Sequence, residues 1–320
     1  MSEALHVMAA VIRGSDGRIL IARRGSHQDQ GGLWEFPGGK LEPGEARLDG
    51  LRRELREELG IEVQAARPLI GVLHHYPKRS VWLDVWLVSS FSGEAHGAEG
   101  QPLRWVEPAA LDAYAFPEAN RPIVTAAQLP ERYLITPELD DLGRLCDGLE
   151  QALTGGIRLV QLRQNQLDAP AYADWAEQLL ARFDGRIDWL FKGSRAPHWP
   201  GAGWHLRASQ LAKVSREELA RCGGWTAASC HNANELQQAL ALGVDFVTLS
   251  PLLPTASHPQ ATPLGWEQAA ALLRDFPKPA YLLGGLTTPQ LPKAWQHGAQ
   301  GIAGIRGLWP ARFGTSAPAG

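Results

Sequence analysis

The sequence predicts two α/β domains in tandem: an α/β/α sandwich with a mixed sheet, then a small (β/α)₈ barrel. The chain has 320 residues, enough for two domains. Its first part alternates strand patterns with one strongly amphipathic, acidic helix. The remainder holds eight short apolar runs with helical patterns between most of them, which is typical of a (β/α)₈ barrel.

The boundary between the domains is predicted where the chain becomes polar and carries a proline. Residues 126–132 read AAQLPER and include Pro130. We therefore expect a first domain at residues 1–128, a linker at 129–132, a barrel at 133–312 and a flexible tail at 313–320.

Composition limits the partners and the compartment. A formal net charge of −3 gives no reason to expect a nucleic acid polymer or a membrane surface as partner. The three cysteines, Cys146, Cys222 and Cys230, are scattered, which argues against disulfides or a zinc site and suits a reducing cytosol. Neither a signal peptide nor an apolar run of membrane length is evident. We expect a cytoplasmic protein; its oligomeric state is left open.

The first domain begins with a predicted β-hairpin and continues with mixed elements. Residues 5–12 and 18–22 have strand patterns and flank a turn at residues 14–17, which contains two glycines. Further strands are predicted near residues 71–75, 80–89 and 103–106. A short helical segment starting at Pro108 and a helix at residues 120–128 complete the domain.

The stretch 39–61, GKLEPGEARLDGLRRELREELGI, organises this domain. Leu48, Leu51, Leu55 and Leu59 recur at helical spacing, so one stripe of the helix is built to be buried, and Gly60 closes it.

Three glutamates share a different face of the same helix. Glu54, Glu57 and Glu58 stand at i, i+3 and i+4. Crowded carboxylates raise one another's pKa unless a positive group lies among them. Mg²⁺, which prefers oxygen ligands, would supply that positive charge. The alternative is that this face is solvated and carries exposed Glu–Arg pairs, which is the usual interpretation of an isolated run of Glu and Arg residues.

The complete spacing matches the Nudix box at every fixed position. These positions are Gly39, Glu45, Arg53, Glu54, Leu55, Glu57, Glu58, Gly60 and Ile61. Over residues 5–127 the chain resembles the MutT type of this family, which acts on 8-oxo-dGTP. Three further stretches carry that resemblance: EFPGGK at 35–40, FSGEAHGAEGQPLRW at 91–105 and FPEAN at 116–120.

The resemblance implies a set of site residues. The metal would be held by Gly39 through its carbonyl and by Glu54, Glu57, Glu58 and Glu99. Asn120 would read the oxidised purine edge, although on local sequence it could instead cap a helix. The other substrate-binding candidates are Arg24, Phe36, Gly38, Lys40 and Arg79.

The chemistry this implies is hydrolysis of a nucleoside triphosphate to the monophosphate and pyrophosphate. Mg²⁺, with Mn²⁺ as a substitute, would neutralise phosphate oxygens. Glu54 is our choice for the base that activates water. Arg53 would orient the carboxylates of the helix, and Glu45 would brace the loop or support the metal indirectly.

The second domain resembles thiamine-phosphate synthase and its TenI-like relatives. The stretches that carry this likeness are YLITPE, GIRLVQLR, GWHLRASQL, SCHNANELQQALALGVDFVTLSP, PTASHPQATPLGW and LLGGL. Several positions depart from the synthase pattern: Lys192-Gly193 replaces Asn-Asp, Gln210 replaces an aspartate and His258 replaces a lysine. Without those two carboxylates, synthase activity is not expected.

A small phosphorylated ligand remains a predicted partner of the barrel. Gly284 and Gly285 occupy the usual phosphate position after strand seven, and Arg306 would add charge after strand eight. Trp189, Trp199, Trp204 and Trp225 fit either a buried core or the wall of a ligand pocket. The barrel would then bind or regulate rather than catalyse. In an alternative interpretation, the first domain hydrolyses a thiamine-related or other nucleotide pyrophosphate, and the barrel is active in thiamine metabolism.

Overall fold

The computed structural model describes residues 4–25, 30–77, 79–255 and 260–313. The chain divides into two units. The first comprises Met1–Leu129 with Leu273–Pro279, and the second comprises Pro130–Leu272 with Ala280–Gly320. Among the described residues, no helix combines the length and the hydropathy that a membrane span needs.

The first unit is built on a six-stranded mixed sheet. Its strands and helices are β1 Leu5–Arg13, β2 Ile19–Arg23, β3 Trp34–Glu35, α1 Arg47–Leu59, β4 Glu62–His75, β5 Ser80–Ser92, β6 Leu103–Val106 and α2 Arg121–Gln128. The strands follow the order β3-β2-β1-β5-β4, with β6 paired to β2. β1 and β5 run parallel, whereas β1–β2 and β4–β5 are antiparallel, so the predicted mixed sheet is confirmed.

The alternation of β1 gives the sheet two buried faces. Met8, Ala10 and Ile12 pack on one side in a cluster with the leucines of α1. Ala9 and Val11 pack on the other side with residues of α2. Because successive side chains of a strand point to opposite faces, this alternation produces the α/β/α layering that the sequence predicts.

Helix α1 has the buried stripe that its leucine spacing predicts. Leu51, Leu55 and Leu59 are fully buried, and Gly60 ends the helix with a φ of 67°. At its first turn, Arg47 forms a bidentate ion pair with the buried Asp84 of β5. This pair ties the N-terminal end of α1 to the sheet.

Strand β4 is much longer than predicted. The sequence indicated a strand near residues 71–75, but β4 extends over 14 residues and pairs with most of β5. Its register shifts at three places between Val63 and Ile70, around Pro68. Proline and bulges interrupt the two-residue alternation that identifies a strand, so the first half of β4 gave no periodic signal.

The second unit is a closed barrel of eight parallel strands. Its strands and helices are β7 Arg132–Ile135, α3 Leu142–Thr154, β8 Leu159–Leu162, α4 Ala169–Arg182, β9 Asp188–Phe191, β10 Gly203–Leu206, α5 Arg216–Leu219, β11 Thr226–Cys230, α6 Ala233–Leu242, β12 Phe246–Leu249, α7 Gly265–Leu273, β13 Ala280–Leu283, α8 Leu291–Gln296 and β14 Gly301–Gly304. Each of the eight apolar runs forms one strand, and β14 closes the barrel by pairing with β7. The predicted (β/α)₈ fold class is confirmed.

The ring of helices around the barrel is incomplete on one side. Six of the seven connections between consecutive barrel strands contain one of the helices α3 to α8, but residues 192–202, between β9 and β10, form no helix. This stretch contains Pro197, Pro200 and two glycines, and proline removes the backbone donor that a helix interior requires. The gap leaves space beside α4.

Candidate active site

The glycine turn before α1 must remain free of side chains. A Cβ on Gly38, where φ is +146°, would collide with the carbonyl oxygen of Met8. A Cβ on Gly39 would meet the Glu54 carboxylate. The turn lies against β1, where Met8 N donates to Gly39 O at 2.7 Å and Ala10 N donates to Pro37 O at 2.8 Å. Both glycines are therefore required by close approach.

Arg53 is the centre of a network that holds the acidic side chains of the box in place. Its guanidinium donates to both oxygens of Glu45 at 3.0 Å, to Glu54 Oε1 at 2.8 Å and to Glu57 Oε2 at 3.3 Å. A further bond reaches Lys40 O at 3.1 Å. Hydrogen bonding from Arg53 lowers the pKa of Glu45. These contacts bring together the residues to which the sequence assigned orienting and bracing roles.

Glu58 is half-buried and lies within the electrostatic influence of three other carboxylates. Gly38 N donates to its Oε2 at 3.0 Å. Burial, the largest cause, and the negative charges of Glu35, Glu54 and Glu99 together raise the pKa of Glu58 to about 7, while the hydrogen bond from Gly38 N opposes the rise. Like charges around a half-buried carboxylate make a positive ligand favourable at this point.

A loop that starts after β5 brings Glu99 to this cluster. Its backbone caps the end of α1, because His96 N donates to Leu59 O at 3.1 Å and Ala98 N donates to Glu58 O at 2.9 Å. The Gln101 amide donates to the same Glu58 carbonyl at 3.0 Å. The loop thereby satisfies carbonyls that a helix end leaves unpaired.

Glu35 is a residue that the sequence reasoning missed. It lies on β3, and its Oε2 receives a bond of 2.5 Å from Arg24 Nη1. Burial raises the pKa of Glu35, and Arg24 opposes that rise. Arg24, predicted to bind substrate, is thus held in an ion pair beside the carboxylate cluster. The antiparallel pairing of β2 with β3 places Glu35 here, and no local sequence pattern indicated that pairing.

No group of three or more His, Cys, Asp or Glu side chains within the described parts of the chain is arranged closely enough to hold a metal ion. Arg53 occupies the space between Glu54 and Glu57, and the Gly39 carbonyl already accepts from Met8. The donor set nevertheless suits Mg²⁺, since it consists of carboxylate and carbonyl oxygens with excess negative charge around Glu58.

The residues predicted to recognise the base are arranged around a pair of phenylalanines. Phe36 is buried and stacks on Phe116 with ring centroids 5.3 Å apart. Asn120 follows in a short 3₁₀ turn, Glu118–Asn120, and is half-buried. Its side chain makes no capping bond to α2, so the capping alternative does not apply. Lys40 and Arg79 are exposed.

In the barrel, the predicted phosphate residues lie on neighbouring strand ends. Gly284 and Gly285 directly follow β13, both with positive φ, and Arg306 follows the adjacent β14. The positions that depart from the synthase pattern lie on a different part of the rim: Lys192 and Gly193 follow β9, and Gln210 follows β10. His258 lies outside the described residues.

Comparison with known families accounts for both units. A family described as thiamine monophosphate synthase matches residues 132–308, more than half of the chain. A NUDIX domain family matches residues 8–126. The chain therefore belongs to the NUDIX hydrolases through its first unit and to the thiamine monophosphate synthase family through its second.

Individual relatives resemble one unit each. The CTP pyrophosphohydrolase of Escherichia coli (strain K12) is 40% identical over 122 residues, covering 38% of this chain and 90% of that protein. The 8-oxo-dGTP diphosphatase of the same strain is 38% identical over 120 residues, 38% of this chain and 93% of that protein. The thiamine-phosphate synthase of Bordetella avium (strain 197N) is 32% identical over 194 residues, 56% of this chain and 87% of that protein.

Proposed function

We propose that the first unit hydrolyses nucleoside triphosphates to the monophosphate and pyrophosphate, with 8-oxo-dGTP as the preferred substrate. The observation that carries this proposal is the position of Glu58, which accepts a hydrogen bond from Gly38 N and whose pKa is raised by the negative charges of Glu35, Glu54 and Glu99. Partly exposed carboxylates that act on one another electrostatically suit a reaction in which polyphosphate and metal charges must be brought together.

Mg²⁺, or Mn²⁺ in its place, would be held by Glu54, Glu57, Glu58, Glu99 and the Gly39 carbonyl, and when bound would neutralise phosphate oxygens. Glu54, which lies against Gly39, takes the proton of the attacking water. Arg53 orients Glu54 and Glu57, while Glu45 fixes the guanidinium from the opposite side.

Base selectivity is assigned to Asn120. An amide can donate to and accept from a purine edge at the same time, and within the described residues its side chain has no hydrogen-bond partner. Phe36 and Phe116 form an apolar wall near it. Gly38, Lys40, Arg24 and Arg79 are further substrate-binding residues in this proposal, with Arg24 acting through its pair with Glu35.

CTP is a second candidate substrate, because the CTP pyrophosphohydrolase relative is as similar to this unit as the 8-oxo-dGTP diphosphatase. The barrel is proposed to bind a ligand without carrying out the synthase reaction, since Lys192-Gly193 and Gln210 offer no carboxylate for a pyrophosphate-bound Mg²⁺.

A substrate panel tests these assignments. Hydrolysis of 8-oxo-dGTP, dGTP, CTP and thiamine diphosphate is measured with Mg²⁺, and Glu57→Gln serves as the inactive control. We expect Asn120→Ala to reduce kcat/KM for 8-oxo-dGTP about 10- to 100-fold while dGTP hydrolysis changes little, because the lost bonds discriminate only the oxidised base. An unchanged preference in Asn120→Ala would contradict the role of Asn120, and a preference for CTP would select the second candidate.

A further inference from the structure

A cavity of about 760 Å³ opens on the barrel rim where the ring of helices is incomplete. It lies among the segments that follow β8, β9 and β10 and beside the first turns of α4. Its volume is that of a typical small-molecule site. The cavity does not include Gly284, Gly285 or Arg306, so it is separate from the phosphate position that the sequence predicted.

The side chains around this cavity carry excess positive charge. Lys192, Arg195, Arg207 and Lys213 line it, against two carboxylates. One of those carboxylates, Asp168, is already used as the N-cap of α4, where it accepts from Ala171 N at 2.9 Å. The other is Glu218. Among the described residues, Arg195, Arg207 and Lys213 form no ion pair within 4.0 Å.

Lys192 shows that these cations are crowded. Its ammonium donates to Asn165 Oδ1 at 2.5 Å and lies 5.3 Å from the centre of the Tyr172 ring, so neither contact neutralises its charge. Burial, the largest cause, and the charges of Arg207 and Arg163 together lower the pKa of Lys192 to about 8, against an opposing effect of Glu138. An anion bound between Lys192 and Arg207 would relieve this repulsion.

The connection that carries Lys192 is held in position from two sides. The Gly193 carbonyl accepts from the Gln210 amide at 2.7 Å and from Trp204 Nε1 at 3.3 Å. Gln210, which stands where the synthase pattern has an aspartate, therefore acts as a donor to the backbone. The cation-bearing segment is ordered by these bonds although it contains no helix.

An aromatic wall borders the same space. Trp199 packs against Phe191 with ring centroids 5.0 Å apart and against His198 at 4.6 Å. Trp199 Nε1 donates to Glu177 Oε1 at 3.2 Å, which fixes the orientation of the indole. All three rings line the cavity, and a fixed aromatic ring offers a surface on which a planar ligand can stack.

We propose that this cavity binds a phosphate monoester carrying a planar ring, of the nucleoside monophosphate class, and that protein cations bind the phosphate without a divalent metal. Lys192 and Arg207 contact the phosphate, because guanidinium and ammonium groups donate directly to its oxygens. Trp199 stacks on the ring. The first unit would release the same class of compound, and this link alone rests on the proposed function.

Calorimetric titration of the full chain with dGMP, CMP or inorganic phosphate, in buffer containing EDTA, tests the proposal. We expect both nucleotides to bind. The double variant Lys192→Gln/Arg207→Gln should weaken binding of nucleotides and phosphate about tenfold or more, since each charged hydrogen bond contributes on that order. Trp199→Leu should weaken nucleotides but not phosphate. Arg221→Gln removes an exposed cation that does not line the cavity and should leave all affinities unchanged.

Three results would overturn the inference. These are no binding at millimolar nucleotide, binding that requires Mg²⁺, and nucleotide binding that survives the double variant but is lost in Asn120→Ala, which would locate the ligand in the first unit. Circular dichroism and the unfolding midpoint confirm that each variant folds. Hydrolysis of 8-oxo-dGTP is measured separately and should be unaffected by the double variant, so binding without hydrolysis rejects only the proposed function.

Discussion

The two units concentrate opposite charges at their candidate sites. In the first unit, Glu58 is half-buried, and its partial burial followed by the charges of Glu35, Glu54 and Glu99 raises its pKa. In the second, burial followed by the charges of Arg207 and Arg163 lowers the pKa of Lys192. In each case the charged form is disfavoured by the protein itself, so a ligand of opposite sign would stabilise it.

The two sites differ in whether a side chain of opposite charge already lies within the site before a ligand binds. Arg53 connects Glu45, Glu54 and Glu57 and partly neutralises the carboxylate site from within. In the cation cavity, the corresponding carboxylates are few, and one of them caps a helix. A site with an internal counter-charge can hold its geometry for catalysis, whereas a site without one is suited to binding.

The largest effect is expected when the proposed base of the first site is removed. Glu54→Gln keeps the shape of the side chain but cannot take a proton, so kcat for 8-oxo-dGTP should fall about 10²- to 10⁴-fold. Glu62→Gln is the matched control, because Glu62 is exposed and, in the part of the chain that the structure describes, forms its ion pair with Arg56. Full activity in Glu54→Gln would show that another residue accepts the proton of the attacking water.

A smaller loss should follow when the internal counter-charge is weakened. Arg53→Lys retains one positive charge but cannot make the fork of bonds to Glu45, Glu54 and Glu57. Activity or Mg²⁺ affinity should fall about 10- to 100-fold, as measured by rates over a Mg²⁺ titration. Arg56→Lys, on the same helix but in an exposed pair, should behave as the wild type. If the two substitutions had equal effects, Arg53 would have no specific role in the site.

The comparison extends to buried polar groups, and here the expected effect is smallest. The first unit pairs buried Asp84 with Arg47, whereas the two ring nitrogens of His205, inside the barrel, are hydrogen-bonded to the uncharged hydroxyls of Tyr133 and Ser229. Burial lowers the pKa of His205 to about 4. Below the ordinary pKa of about 6.5, the unfolded chain takes up a proton that the folded barrel excludes.

Stability contributed by neutral His205 is therefore complete above about pH 6.5 and is lost as the pH falls toward 4. Between about pH 7.5 and pH 5 this loss should be about 2 kcal/mol in the free energy of unfolding, measured with urea. His205→Gln, which keeps hydrogen-bonding groups but does not titrate, should show a correspondingly smaller loss. A variant with the same pH dependence as the wild type would show that His205 is not the responsible group.

Much of the fold followed from local periodicity. The leucine spacing of α1 and the eight apolar runs of the barrel were identified correctly because each pattern lies within one element. The bulged half of β4 was missed for the opposite reason, since its pairing with β5 depends on a partner strand rather than on its own alternation.

At the sites, the sequence determined which glutamates share one face of α1 and that both glycines precede it, because helical spacing and backbone freedom are local properties. Only the tertiary structure decided that Glu35 joins Glu58, since it reaches the cluster through strand pairing. It also decided that Lys192 and Arg207 line one cavity beside the connection that lacks a helix. Burial and like-charge crowding depend on how distant segments pack, and no local pattern specifies them.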